Sequence, residues 1–375
     1  MKRIIFILGI MGLGIVAACT QGNVAAVVPF GRPAAAQAVT AASTEPALSL
    51  PKGSVQAVSP CASLKSDSSQ LPACEPQELG AFPRLASYNI GAPHNYDELA
   101  YQQQLAKRDL IILGLYNGWD EGGKTPAQVV SEIKALNPDI LIGNYTIMEI
   151  VMDSEISPLG EAYKRDKLSA EVGPEGIGDW WARDSSGAIT DWTNGVWGTH
   201  DANITSFVTP DTSGDRWSQW LAKKDYELLF NGVGFDFWFS DDNFWRPRTN
   251  ADWNRDGTND DMNDIAVQGW WHAGQQAYYN QIALTAPNLY LMTNVDNDLS
   301  GEVFPPEAEP FNEYKNILHG ALMEHVISKR PWAVETWGGW EMMMTWYYEL
   351  FDNLLEPKLV IFEVWGDVDD YQTFR

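Results

Sequence analysis

A continuous apolar run that begins behind a glycine and ends in two acids, Gly232-Val-Gly-Phe-Asp-Phe-Trp-Phe-Ser-Asp-Asp-Asn243, constrains this chain more than any other stretch. It reads as a β-strand buried on both faces, the kind found in a parallel sheet covered by helices. Side chains alternate along a strand, so Phe237, Phe239 and Asp241 share one face and Gly234, Asp236, Trp238, Ser240 and Asp242 the other. In a (β/α)8 barrel the C-terminal ends of the strands face the active site. Asp241 and Asp242 are therefore the first candidate site residues, one of them pointing straight into the mouth. The alternative is that Asp-Asp-Asn caps the following turn.

The rest of the chain supplies partners for such a strand. From Leu85 onward, strand-like and amphipathic runs alternate, as βα units do. Strands are expected at 85–90, 110–116, 140–146, 289–295, 321–326 and 358–365, besides the one above. Thr125-Pro126 reads as an N-cap followed by proline at the first helical position, with Val129, Val130, Ile133 and Leu136 as the apolar face and Asn137-Pro138 as the stop. A second helix, 215–230, carries Trp217, Trp220, Leu221, Leu228 and Leu229 as its buried stripe and is closed by Asn231-Gly232. The long stretch between 147 and 211, with Trp180, Trp181, Trp192 and Trp197 among glycines, is an insertion on the catalytic face, a candidate lid or substrate wall. The expected fold is α/β, a (β/α)8 TIM barrel that stops before its eighth strand, through truncation or an incomplete barrel.

Charge narrows the partners. A formal net charge of -25 leaves no basic stripe for phosphate, which excludes nucleic acid as a ligand. The 17 tryptophans suit stacking on the C–H faces of sugar rings, although packing between barrel and helices accounts for many of them. No G-x-S-x-G elbow or H-E-x-x-H helix is present, and the five histidines are scattered.

Met1-Lys-Arg, the apolar run from Ile4 to Val16 and Ala17-Ala18 read as an export signal. Val16-Ala17-Ala18-Cys19 resembles a bacterial lipobox, which implies residues 1–18 as a cleaved lipoprotein signal peptide, lipidation of Cys19 and a protein held at the cell envelope, at the outer membrane or cell surface. Residues 19–80, rich in Ala, Pro, Ser and Val, have the composition of a disordered tether, and 81–375 form the barrel domain. Cys61 and Cys74 either close one small disulfide loop or stay free. A monomer is expected.

Acids recur at the strand ends: Glu149, Asp241, Asp242, Asp296, Glu324 and Glu363. Glycoside hydrolysis needs two of them, with pKa values pushed apart by their surroundings. Trp332, Trp337 and Trp340 offer an apolar wall for Glu324, which otherwise pairs with Arg330 or His325. Tyr88, Tyr116, Trp238 and Asn294 join Asp236, Asp242, Glu149, Asp296 and Glu363 as candidate substrate-binding residues. Gly234-Phe235-Asp236 with Asp241 five positions on resembles the strand motif of TIM-barrel glycosidases, with Phe237 where glycine is usual. Trp181-Ala-Arg-Asp184-Ser-Ser-Gly187 and Thr209-Pro210-Asp211 are similar to segments of the hypothetical glycosyl hydrolase family 15. The likeness runs from about Leu85 to Arg375. By resemblance to the wider α-galactosidase-like group, it implies Asp241 as nucleophile, Glu324 as acid/base and Asp236 packed behind the strand.

Asp252, Asn254, Asp256 and Asp260, around Gly257, space oxygens as a calcium loop does, with Asn263 at the twelfth position. Either a structural calcium ion or a metal-free acidic turn fits, and no other cofactor is required. Two functions follow: a glycosidase acting on an extracellular poly- or oligosaccharide, or a carbohydrate-binding surface lipoprotein without catalysis. A calcium-dependent adhesion module is the third.

Overall fold

The computed structural model describes residues 4–8, 84–89, 96–114, 123–152, 162–170, 180–192, 198–244, 246–295, 316–328 and 340–365. Its strands are β1 (Ile4–Leu8), β2 (Arg84–Asn89), β3 (Leu110–Leu113), β4 (Leu141–Ile147), β5 (Ile150–Met152), β6 (Thr199–Asp201), β7 (Phe237–Asp241), β8 (Tyr290–Asn294), β9 (Gly320–Ser328) and β10 (Leu359–Trp365). The helices are α1 (Leu99–Leu105), α2 (Pro126–Leu136), α3 (Ala162–Ala170), α4 (Trp217–Asp225), α5 (Ile265–Thr285) and α6 (Trp340–Asn353).

Seven strands, β2, β3, β4, β7, β8, β9 and β10, pair parallel in chain order, with helices between them. This is the expected (β/α)8 arrangement, and among the described residues no strand follows β10. The eighth place is taken from the other end of the chain. β1 pairs parallel with β10, Ile4 opposite Val360 through Leu8 opposite Val364, and with β2, which closes the sheet. The sequence assigns Ile4–Leu8 to an export signal. Five consecutive apolar residues satisfy the core of such a signal and a strand of a parallel sheet equally well.

Alternation divides the apolar residues into two cores. Inside the barrel lie Leu110, Ile112, Phe237, Phe239, Met292 and Ile361. Between barrel and helices lie Ile111, Ile142, Trp238, Leu291, Met323 and Val360. The interior filling is tight at one point. A Cβ on Gly143 of β4 would stand 2.1 Å from the Phe237 ring, so glycine there makes room for the aromatic that stands where the glycosidase motif has glycine.

The helices follow their local signals. Thr125 caps α2 in a reciprocal box with Gln128, Pro126 holds the first turn, and Val129, Val130 and Ile133 are buried. Leu136 is exposed rather than part of the apolar face. α4 runs into a π-helical turn, Tyr226–Phe230. The wider turn rotates the stripe, so Phe230 is buried while Leu228 is exposed, contrary to the α-periodic expectation. β5 and β6 form a separate antiparallel pair inside the insertion after β4. Among the described residues, no helix is long and apolar enough to cross a membrane.

Candidate active site

Asp241 is the last residue of β7 and continues the inner face set by Phe237 and Phe239. It is 7% exposed, and both carboxyl oxygens accept a hydrogen bond. Tyr88 Oη of β2 donates to Oδ2 at 2.7 Å, and Asn294 Nδ2 of β8 donates to Oδ1 at 2.9 Å. The Tyr88 ring is fixed edge-on to Phe239, with centroids 5.6 Å apart, and tilted against Tyr145. Three strands thus hold one carboxyl at the C-terminal mouth. Tyr88 and Asn294, expected as substrate contacts, hold Asp241.

The turn after β7 is closed by Asn243. Its side-chain amide donates to the carbonyls of Ser240 and Asp241 and to the Thr293 hydroxyl. Asp242 takes the left-handed backbone conformation, φ 53°, which short polar residues tolerate. Of Asp-Asp-Asn, the asparagine side chain does the capping, and Asp241 is turned inward.

Glu363 of β10 follows Leu359 and Ile361 on the inner face and is 3% exposed. Glu324 stands in β9, two positions beyond the interior residue Leu322. The β9–β10 register shifts between Phe362, opposite Met323, and Val364, opposite Ile327, so Glu324 and Glu363 both lie in the irregular stretch. Such shifts re-aim side chains beside active sites. The side chain of Glu324 lies outside the described residues, as do Tyr116, Asp296, Cys19, Cys61 and Cys74.

Two expected substrate contacts belong elsewhere. Asp236 precedes β7, about 16 Å along the strand from Asp241 at ~3.3 Å per residue. Its carboxyl meets Lys134 Nζ of α2 at 2.8 Å and accepts from the Ile142 N–H at 2.8 Å, so it braces the N-terminal end of the barrel. Trp238 points outward, fully buried, stacked on Phe230 at 4.0 Å and donating Nε1–H to Thr146 Oγ1 at 2.7 Å. Alternation already assigned both residues to the face away from Asp241.

Glu149, beyond β4, is 2% exposed and accepts from Gln275 Nε2 of α5 at 2.8 Å. Burial holds its carboxyl well above the usual range, and the neighbouring Asp242 pushes the same way. Hydrogen bonds from Gln275 and the Phe244 N–H, and the Arg248 charge, oppose the rise. Gln275 Nε2 also donates to the Phe244 carbonyl at 2.6 Å, so Glu149 ties the loop after β7 to α5.

The loop at 252–260 is closed by its own hydrogen bonds. Asp252 accepts from the Asp256 and Gly257 N–H groups at 2.8 and 2.9 Å, and Asp260 from those of Trp253 and Asn254 at 2.9 and 3.2 Å. Among the described residues, no group of three or more His, Cys, Asp or Glu side chains is placed to hold a metal.

Sequence reasoning named Trp192 only as part of a wall and missed Asp201 and Arg248. Trp192 packs against the barrel-interior core, as Tyr88 does. The Arg248 guanidinium lies over its indole at 4.4 Å and over the Phe244 ring. The only sequence signal was a tryptophan-rich insertion after a barrel strand.

No family model matches the chain, and no curated protein matches it in sequence. Solved structures to which the chain shows some likeness include the glycoside hydrolase domain of PelA from Pseudomonas aeruginosa, at 13% identity and TM-score 0.33, covering 64% of this chain and 65% of that one. Another is the GH36 α-galactosidase AgaA of Geobacillus stearothermophilus, at 9% identity and TM-score 0.35, covering 57% of this chain and 28% of that one. Amy13B of Eubacterium rectale gives 9% identity and TM-score 0.43, covering 73% and 56%. The chain spans less than two thirds of each of these structures.

Proposed function

We propose that the chain is a glycoside hydrolase that cleaves an extracellular poly- or oligosaccharide with Asp241 and Glu324. One observation carries the reading: a carboxyl turned inward at the mouth of a parallel barrel, its two oxygens held by Tyr88 and Asn294. A carboxylate gripped in that way keeps one orientation, as attack on an anomeric carbon requires. In the proposed reaction Glu324 gives its proton to the leaving glycosidic oxygen while Asp241 attacks the anomeric carbon. Glu324 then takes a proton from the water that releases the sugar and restores Asp241. The glycoside hydrolase names of the structural neighbours agree with this chemistry, but the reading rests on the site.

The test is release of reducing ends from a panel of polysaccharides by the wild type, Asp241→Asn and Glu324→Gln. Activity in the wild type that falls by about 10³-fold or more in both variants, with sugar binding retained, supports the proposal. A wild type that binds sugar and cleaves none supports a carbohydrate-binding lipoprotein instead. Export and a lipid on Cys19 complete the proposal, the processed chain giving up β1 with residues 1–18 and keeping the seven strands β2, β3, β4, β7, β8, β9 and β10 that carry the site: Cys19→Ala is expected to leave the membrane fraction and lose incorporated palmitate.

A further inference from the structure

The β5–β6 pair stands over the same mouth. In an antiparallel pair, directly opposed residues share a face. Ile150 of β5 belongs to the barrel-interior core and is paired with Asp201 of β6, so Asp201 faces the barrel mouth. The next pair, Val151 with His200, faces the other way: Val151 belongs to the outer core, and His200 lies edge-on to Trp181. The Trp192 backbone N–H is hydrogen-bonded to the Asp201 carboxyl, and the Trp192 side chain packs against the same interior core as Tyr88, the residue that holds Asp241.

Asp201 is 5% exposed, and its Oδ2 is buried with no hydrogen-bond partner, whereas the Thr190 hydroxyl and the Trp192 N–H are bonded to its carboxyl. A bare acceptor in a buried place costs about 1–3 kcal/mol, more when charged, and calls for a donor brought in from outside the fold. Burial pushes this carboxyl up to about 6. Above that pH it is a charged acceptor, which takes hydroxyl protons in short, strong bonds. The residue whose backbone N–H it accepts, Trp192, carries the indole on which Arg248 lies.

We propose that Trp192 and Asp201 form a sugar-binding subsite at the barrel mouth, in which a neutral pyranose lays its C–H face on the side of the indole opposite Arg248 and donates a hydroxyl to Asp201 Oδ2. The charges decide between sugar classes. Asp191 repels added negative charge at Asp201, and Asp242 does so at Glu149, while Arg248 is the counter-charge to both Asp201 and Glu149. A uronate brought here meets more carboxylates than cations. The subsite rests on the hydrolase reading for its role, but its existence is measured by binding alone.

The experiment uses the full chain with Asp241→Asn to prevent turnover, on an array of oligosaccharides built from neutral hexoses, N-acetylhexosamines and uronates. Adding Asp201→Asn, which replaces the bare acceptor by a neutral amide of the same shape, is expected to weaken the best-bound neutral sugar at least tenfold with the melting temperature unchanged or raised. Trp192→Ala is expected to do the same, and Trp192→Phe to recover most of the loss. In the catalytic background Asp201→Asn raises KM and leaves kcat within about threefold. Unchanged affinity in Asp201→Asn, a preference for uronates, or loss of binding only together with loss of melting temperature overturns the subsite. A chain that binds neutral sugars through these residues but hydrolyses none overturns the hydrolase reading and leaves the subsite standing.

Discussion

Replacing Tyr88 by Phe removes one oxygen and very little else. The ring keeps its place against Phe239 and Tyr145, and the lost group is the donor 2.7 Å from Asp241 Oδ2. Asp241 is 7% exposed, so water replaces that donor poorly, and Asn294 is left to hold the carboxyl through Oδ1 alone. A hydrogen bond to a charged group contributes about 1.5–3 kcal/mol. If the bond serves to aim the carboxylate in the transition state, its loss lowers kcat roughly 10- to 150-fold. KM stays within about twofold, because the hydroxyl is spent on Asp241 and not on sugar. The assay is steady-state hydrolysis of the best polysaccharide found, alongside urea denaturation of both proteins. A variant with raised KM and unchanged kcat would return Tyr88 to the role of substrate contact, and unchanged values of both would refute the reasoning altogether.

Other consequences are as specific. Glu149 keeps its proton to higher pH in the fold than in the unfolded chain, whose glutamates titrate near ~4.3. Wild-type stability therefore falls as pH rises from that value towards the folded one. Glu149→Gln removes this titration and places an amide donor beside Gln275, whose Oε1 is buried without a partner. Urea melts at several pH values are expected to show a flatter profile for the variant and a higher midpoint near pH 7; a parallel profile contradicts the assignment. Gly143→Ala is expected to cost about 1–3 kcal/mol or more, because its methyl meets the Phe237 ring at 2.1 Å, and Phe237→Ala in the same chain should recover part of it. Strict additivity of the two changes would show that the ring is not the obstacle. In the acidic loop, desolvation raises the Asp260 carboxyl; N–H bonds from Asn254 and Trp253 oppose this, while the Asp256 and Asp252 charges add to it. A calcium ion would have to displace the N–H bonds that Asp252 and Asp260 accept, so millimolar calcium and a chelator are both expected to leave the melting temperature unchanged. A rise with calcium that the chelator reverses would assign the loop to the metal.

The barrel was legible because its strands are short apolar runs with clear stops, and their predicted positions lie within a few residues of the observed ones. Alternation along one strand put Asp241 and Asp242 on opposite faces, so that only one of them could enter the mouth, and set Asp236 and Trp238 on the face away from Asp241; the choice of Asp241 came from the glycosidase resemblance. Three things were not legible. The π turn at Tyr226–Phe230 carries no periodic signature, so Leu228 was read as buried. The closing role of Ile4–Leu8 depends on a pairing more than seventy residues distant from β2 and more than three hundred from β10, which local pattern does not encode. Trp192 and Asp201 sit in an insertion whose shape is set by its pairing with β5, so residue types alone could mark the wall but not the atoms that face the mouth.

The most direct test of the two-carboxyl account is the distance between the Asp241 and Glu324 carboxyl groups in a crystal structure of the chain. The account predicts that they face one another across the mouth about 5–5.5 Å apart, as direct attack by Asp241 requires. A separation of about 6.5–9.5 Å would make Asp241 a base for water and not the nucleophile, and carboxyls turned to different sides of β7 and β9 would contradict the two-carboxyl account altogether.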